Sequence, residues 1–136
     1  MKLLSIGSAF IILLFVFSGC TTTKKEWGSK KEKINYEHTF VESGYASFYG
    51  KGFAGKPTAS GKIYDPGLLT AASKTLPLHS RVLVKDVKTG RFVVVTINDK
   101  GPFIPGRVID LSVAAAKKLG IMRKGVAKVE VFLVKN

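Results

Sequence analysis

The chain has 136 residues, with 22 Lys and Arg against nine Asp and Glu, so its formal net charge is +13. This length allows one folded domain, and a single cysteine, Cys20, excludes an intrachain disulfide. The two histidines are far apart and have no His or Cys at metal-ligand spacing, so we expect neither a metal site nor a cofactor. The charge favours an anionic partner: nucleic acid, a membrane surface or an acidic polymer.

Residues 1–19 are typical of an export signal. Lys2 precedes an apolar run, Leu3 to Phe17, that is short for a membrane-spanning helix. The run ends in Phe17-Ser-Gly-Cys20, which resembles a bacterial lipobox, in which the cysteine is lipidated and becomes the first mature residue. The alternative is an ordinary signal peptide with an unmodified Cys20. Because Thr21 follows, the sorting pattern of such lipoproteins implies the outer membrane facing the periplasm, with inner-membrane anchoring as the other possibility.

Residues 20–42 combine the lipidated cysteine with a polar, lysine-rich stretch that we interpret as a flexible tether. A coil of this length spans roughly 25 Å root-mean-square. Its basic clusters are suited to contact with anionic headgroups. A solvated linker is the preferred interpretation.

Residues 43–136 are predicted to form the folded domain, which is mainly β. Residues 51–65 are rich in Gly, Lys, Pro and Ser without a helical period, which predicts a loop. Strands or short apolar pieces are predicted at residues 44–50, 68–72, 81–85, 92–97, 107–109 and 125–134. A small β-barrel with a helix inserted between strands fits this order best.

The run from Phe92 to Ile97 is β-branched or aromatic almost without a break, which predicts a strand buried on both faces. It delivers Asn98 and Asp99 into Lys100-Gly-Pro, which cannot continue a strand. A carboxylate at the end of a rigid sheet is well placed for binding or catalysis. The same residues are also a plain turn signal, and from the residues alone the turn is the preferred interpretation.

One helix is predicted, from about Val113 to Leu119. Asp110 or Ser112 can cap its N-terminus, and Gly120 ends it.

Several motifs, taken in order over residues 44–134, closely resemble the rare lipoprotein A (RlpA-like) family. The resemblance implies a six-stranded double-psi β-barrel with one or two short helices, a fold shared with expansins. The matching segments are Gly44-Tyr-Ala-Ser-Phe-Tyr-Gly50, Thr58-Ala-Ser-Gly61, Tyr64-Asp65, Leu69-Thr-Ala-Ala72, Lys74-Thr-Leu-Pro77, Asn98-Asp-Lys-Gly-Pro-Phe103, Arg107 and Ile109-Asp-Leu-Ser112.

The resemblance implies the family's activity, which is lytic cleavage of peptidoglycan between N-acetylmuramic acid and N-acetylglucosamine that leaves a 1,6-anhydro sugar. Asp99 matches the family's catalytic aspartate. Asp65 and Asp86 are interpreted as turn and hairpin residues, Asp110 as a helix cap or barrel clamp, and Glu130 as a residue of an exposed strand face.

Two positions depart from the family pattern: Lys62 replaces a Glu, and Ser73 replaces a His. A lysine within several ångströms of Asp99 would favour the charged carboxylate and weaken it as an acid. The plainer interpretations are a solvated loop lysine and a small turn residue. The departures support an alternative, a peptidoglycan-binding barrel that has lost cleavage.

Substrate-binding roles are predicted for Lys62, Ser73, Tyr49, Thr58, Asn98 and Phe103. The expected partners are glycan strands, the membrane through a lipid on Cys20, and cell-division proteins. We do not expect an exported chain to bind nucleic acid. We expect the protein to be a monomer. A third hypothesis is a structural lipoprotein that binds a division protein without contacting glycan.

Overall fold

The computed structural model describes residues 36–135, which form a closed six-stranded β-barrel with one α-helix. The elements are β1 (His38–Phe48), β2 (Thr70–Ser73), β3 (Arg81–Asp86), β4 (Phe92–Asp99), β5 (Arg107–Leu111), α1 (Val113–Leu119) and β6 (Ala127–Val134), with a short 3-10 helix at Lys51–Phe53. The order around the barrel is β1-β5-β2-β4-β3-β6. The mainly β prediction with six strands and one or two short helices is therefore confirmed.

The barrel closes by mixed pairing. Strands β1 and β5 run parallel, as do β2 and β4, while the other four neighbouring pairs are antiparallel. The parallel pairs place residues that are distant in sequence side by side, and this arrangement builds the site described below.

The interior is filled by alternate residues of the strands. In β4, Val93, Val95 and Ile97 are buried, whereas Phe92 and Val94 are only partly buried. The prediction that this strand is buried on both faces is therefore wrong. The outer face of a barrel strand borders solvent, and an unbroken apolar sequence does not reveal which side is covered.

Strand β1 begins at His38, before the predicted start of the domain at residue 43. His38 pairs with Val134 and Ser43 pairs with Glu130, so the last residues assigned to the tether belong to the sheet. The side chains from His38 to Val41 are all exposed, so this part of the strand lacks the alternation of buried and exposed residues by which a strand is predicted.

Helix α1 has the predicted ends. Ser112 is the N-cap, and its Oγ accepts a hydrogen bond from the backbone N–H of Ala115 at 3.2 Å. Gly120 has a φ of 85° and donates its N–H to the carbonyls of Ala116 and Lys117. Asp110 lies within β5 and does not cap the helix, which corrects one of its two predicted roles.

All the strand pairings and core contacts described lie within residues 36–135, so a fragment of residues 34–136 contains every one of them. Within residues 36–135, no helix is both long and apolar enough to cross a membrane. The predicted signal, Cys20 and most of the tether lie outside the described residues.

The hydroxyl of Ser112 joins helix α1 to the start of β2 and to the loop before it. Besides capping the helix, it donates to the Leu68 carbonyl and accepts from the Thr70 N–H. We expect Ser112→Ala to lower the free energy of unfolding by about 1–2 kcal/mol, since a helix cap and a buried hydrogen bond are lost. Urea denaturation measures this change. Ser43→Ala, at an exposed position of β1, serves as the control. Equal effects of the two substitutions would contradict the joining role of Ser112.

Candidate active site

A row of residues crosses four neighbouring strands at one level of the barrel. On β2, Ala72 pairs with Asp99 of β4 on one side and with Asp110 of β5 on the other. Asp110 also pairs with Ser47 of β1. These four residues form the floor of an open groove of about 470 Å³. The fold thus places two carboxylates in one groove, on either side of a small residue.

Asp99 is held by three hydrogen-bond donors. Its Oδ2 accepts from the Tyr49 hydroxyl at 2.8 Å, and its Oδ1 accepts from the backbone N–H groups of Ala59 and Lys100, each at 2.9 Å. The side chain is partly buried at the last position of β4. Gly101, with a φ of 119°, turns the chain away at this point. The carboxylate therefore has a fixed orientation and faces the groove.

Tyr49 forms part of the groove wall. Its ring packs against Tyr64 and Phe53, with ring centroids 4.7 and 5.3 Å away. Burial, followed by the hydrogen bond to Asp99, raises the pKa of Tyr49 above its ordinary range. Because the phenol stays protonated, it remains a hydrogen-bond donor to Asp99.

Three of the predicted site residues line the groove: Asp99, Tyr49 and Phe103. Phe103 is 78% exposed, so its ring is free to contact a ligand at the rim. The predicted residues Lys62, Ser73, Thr58 and Asn98 are not part of the groove lining.

The loop that carries Thr58 and Lys62 packs against the end of β4. The Thr58 hydroxyl donates to the Lys62 carbonyl at 2.8 Å, and the Ser60 N–H donates to the Asn98 carbonyl at 3.1 Å. Thr58 and Asn98 therefore support the loop whose Ala59 N–H reaches Asp99. The side chain of Lys62 is exposed and forms no ion pair with any described carboxylate.

Ser73 is fully buried at the end of β2. Its hydroxyl accepts from the N–H groups of Thr75 at 3.3 Å and Leu76 at 3.1 Å. These contacts are those of a small turn residue, which is one of the two roles predicted for Ser73, the other being substrate binding.

Arg107 and Asp110, for which the sequence predicts no binding role, also line the groove. Arg107 Nη2 donates to Asp110 Oδ1, and the two side chains are 22% and 17% exposed. The Arg107 Nε–H is buried and has no hydrogen-bond partner among the described residues. In the sequence, the one feature that connects these two residues is the three-residue spacing of their opposite charges, and this spacing does not by itself indicate a groove.

The two groove carboxylates thus differ in their surroundings. Asp110 is paired with a guanidinium, whereas no Lys or Arg side chain within residues 36–135 forms an ion pair with Asp99. The groove therefore offers one carboxylate without a charged partner, next to a phenol donor and aromatic rings. This arrangement suits proton transfer to, or hydrogen bonding with, a polyhydroxylated ligand.

The raised pKa of Tyr49 predicts a specific pH dependence of stability. Above about pH 10 the unfolded chain releases a phenolic proton that folded Tyr49 retains, so the free energy of unfolding falls as pH rises. We expect Tyr49→Phe to make this fall less steep. The measurement is urea denaturation between neutral pH and the alkaline limit of reversibility. Tyr45→Phe, at an exposed phenol, is the control, and parallel profiles for all three proteins would contradict the assignment.

The family model described as "Lytic transglycolase" matches residues 41–131. The curated relatives include endolytic peptidoglycan transglycosylase RlpA of Pasteurella multocida, which is 54% identical over 95 residues, 70% of this chain and 32% of that protein. RlpA of Vibrio cholerae is 50% identical over 95 residues, 70% of this chain and 36% of that protein. RlpA of Rickettsia bellii is 46% identical over 105 residues, 75% of this chain and 46% of that protein. The chain thus spans about a third to a half of the length of these relatives.

Among solved structures, the Streptomyces papain inhibitor matches with a TM-score of 0.54 and 24% identity, over 74% of this chain and all of that one. An expansin of Clavibacter michiganensis matches with a TM-score of 0.54 and 21% identity, over 69% of this chain and 50% of that one. These two likenesses concern the fold alone. The family match and the sequence relatives show that this chain belongs to the RlpA-like lytic transglycolase family, and its closed barrel is a double-psi β-barrel.

Proposed function

We propose that this barrel is a peptidoglycan lytic transglycosylase that cleaves glycan strands between N-acetylmuramic acid and N-acetylglucosamine and leaves 1,6-anhydro ends. The observation that carries the proposal is Asp99, an oriented carboxylate without a charged partner in an open, aromatic-walled groove. Membership of the RlpA-like family supports the choice of substrate.

The chemistry requires a single carboxyl group. Asp99, in its acid form, gives its proton to the glycosidic oxygen as the bond from C1 of the muramic acid breaks. The 6-hydroxyl of the same sugar then bonds to C1, and its proton passes to the Asp99 carboxylate, which restores the acid. Hydrolytic glycosidases usually need a second free carboxyl group for water or for a covalent intermediate. The pairing of Asp110 with Arg107 leaves one free carboxylate, which fits the lytic route.

The groove walls supply binding and orientation. Tyr49 holds Asp99 in place through its 2.8 Å hydrogen bond. The exposed rings of Phe53 and Phe103 lie along the groove and are suited to stacking on the apolar faces of sugar rings. Lys62, exposed on the neighbouring loop, is suited to contact a stem-peptide or muramoyl carboxylate of a long substrate.

A second candidate function is a peptidoglycan-binding barrel without cleavage, and a specific observation favours it. At the two positions where the family pattern has Glu and His, this chain has Lys62, which is exposed on the neighbouring loop, and Ser73, which is buried in a turn, so neither position supplies a further acid or base. In this alternative Asp99 accepts hydrogen bonds from sugar hydroxyls and transfers no proton. Product analysis separates the two functions.

We further propose that Cys20 carries the lipid that anchors the chain in the bacterial envelope, with the barrel facing the periplasm from the outer membrane. The lipobox-like Phe17-Ser-Gly-Cys20 supports this placement. Expression of the full chain with a radiolabelled fatty acid should label the protein, and Cys20→Ser should abolish the label. Persistent labelling of the variant would exclude Cys20 as the acceptor.

We expect Asp99→Asn to lower the cleavage rate at least about 100-fold, since general acid–base catalysis contributes on this scale. The fragment of residues 34–136 is incubated with purified peptidoglycan and with strands lacking stem peptides, and mass spectrometry quantifies 1,6-anhydromuramoyl products. Asp65→Asn is the matched control, because Asp65 accepts a turn hydrogen bond from Gly67 and does not line the groove.

Cleavage by the Asp99→Asn variant at the wild-type rate would remove Asp99 from the catalytic role. An absence of products from the wild-type fragment, together with co-sedimentation with peptidoglycan, would establish the binding barrel instead.

We expect Lys62→Gln to change the cleavage rate less than about threefold, because its ammonium group is exposed and pairs with no described carboxylate. Initial rates on strands without stem peptides measure this directly. A change of tenfold or more on these strands would mean that Lys62 acts on Asp99 rather than on distant parts of the substrate.

A further inference from the structure

Away from the groove, three segments bring their basic residues to one region of the surface, here called the basic face. The segments are the β3–β4 hairpin, the end of α1 with the turn that follows it, and the start of β6. The exposed cations of the basic face are Lys88, Arg91, Lys117, Lys118, Arg123, Lys124 and Lys128.

Direct contacts join the three segments. Arg91 Nη2 donates to the Lys118 carbonyl at 3.0 Å, which ties the hairpin to the end of the helix. The Val87 N–H donates to the Lys128 carbonyl at 3.0 Å, which ties the hairpin to β6. Lys124 Nζ lies 3.8 Å from Asp86 Oδ2, which ties the turn to the hairpin. The cations therefore lie on one continuous surface.

The charge of the basic face is almost uncompensated. Within its segments, residues 86–91 and 117–128, the one acidic residue is Asp86. Asp86 is buried, and its Oδ1 accepts from the N–H groups of Lys88 and Thr89 at 2.8 and 3.1 Å. The basic face therefore presents exposed positive charge and no exposed carboxylate.

Structural roles explain only part of this charge. Lys117 and Lys118 complement the C-terminal end of the α1 dipole, and Lys124 pairs with Asp86. The side chains of Lys88, Arg123 and Lys128 form no hydrogen bond or ion pair with any described residue. These three charges are available to a partner.

Exposed apolar side chains lie in the same segments. Val87 is 50% exposed, Met122 is 37% exposed and Val126 is 46% exposed. Binding to a soluble, highly charged polymer would leave these apolar side chains in contact with water. Cations combined with exposed apolar groups are the composition of surfaces that bind anionic bilayers, where the cations meet headgroups and the apolar groups enter the interface.

We propose that the basic face binds the anionic phospholipid headgroups of a membrane. Arg91 precedes β4 and Asp99 ends it, so the basic face and the groove are about 26 Å apart along this strand, at ~3.3 Å per residue. Membrane and glycan can therefore be bound at the same time. The proposal depends neither on the predicted lipid at Cys20 nor on cleavage activity.

The test uses the fragment of residues 34–136, which lacks the apolar N-terminal segment, and measures its co-sedimentation with vesicles. We expect binding to vesicles of phosphatidylcholine mixed with phosphatidylglycerol, little binding to phosphatidylcholine alone, and weaker binding as salt is raised. Equal binding to both vesicle types, or binding to neither, would overturn the proposal.

Two pairs of charge-neutralising variants locate the contact. Arg123→Gln with Lys128→Gln should weaken partitioning about 25-fold, since each basic residue near an anionic surface contributes about fivefold. Lys74→Gln with Lys135→Gln removes the same charge from elsewhere on the barrel and should change partitioning less than about twofold. Equal losses from the two pairs would mean that net charge alone drives binding, and would overturn the assignment to the basic face.

A third variant separates a bilayer from a soluble acidic polymer. Val87→Ser with Met122→Ser should weaken vesicle binding at least about fivefold, because the apolar contribution is lost. Binding to dextran sulfate should stay unchanged in this variant. Unchanged vesicle binding would identify the face as a site for acidic polymers and overturn the membrane proposal.

Discussion

The groove depends on the position of β2 between β5 and β4. Strand β2 has only four residues, yet it pairs on both edges, and Ala72 is the residue that faces Asp110 on one side and Asp99 on the other. A register irregularity between Ala71 and Ala72 sets the pairing with Asp99. Both ends of β2 are secured by hydroxyls, since Ser112 bonds to Thr70 and Ser73 closes the turn that follows. The spacing of the two carboxylates is thus a property of the sheet rather than of a loop.

This constraint gives the two carboxylates different roles. Asp110 lies in β5 three residues after Arg107, and the guanidinium of the same strand pairs with it. Asp99 lies at the end of β4, where backbone N–H groups and a phenol, rather than a cation, hold it. We therefore infer that Asp99, the carboxylate without a cation, is the one that exchanges a proton with the sugar. A mechanism with one carboxyl group therefore fits this chain better than a mechanism with two.

The strands and the helix could largely be predicted from the sequence, because each is determined mainly by its own residues. The β-branched run of β4 and the capping residues of α1 fix their own elements, and Ser112 and Gly120 act as expected. Only the family resemblance places Asp99 above the other carboxylates, since the residues around it, taken alone, favour a turn. The start of β1 is not predicted from the sequence, because its first four side chains are all exposed and show no alternation, although their backbone is paired.

Features that depend on contacts between distant segments could not be predicted. The pairing of Ser47 with Asp110 requires that β1 and β5 run parallel, and no pattern within either strand indicates this. The turn role of Ser73 and the exposure of Lys62 depend on how the barrel edge folds around them. The basic face is assembled from three segments, and although residues 117–128 are visibly basic, the sequence does not show that the β3–β4 hairpin lies beside them.

We propose that glycan binds along the row of residues that crosses β1, β5, β2 and β4. The most direct measurement is NMR chemical-shift mapping of the 34–136 fragment carrying Asp99→Asn, titrated with a glycan strand that this variant leaves intact. We expect the largest shifts at the backbone amides of Ser47, Ala72, Asp110 and the substituted position 99, and no shift at Lys88 and Arg123. Shifts confined to the basic face, or spread evenly over the barrel, would contradict this proposal.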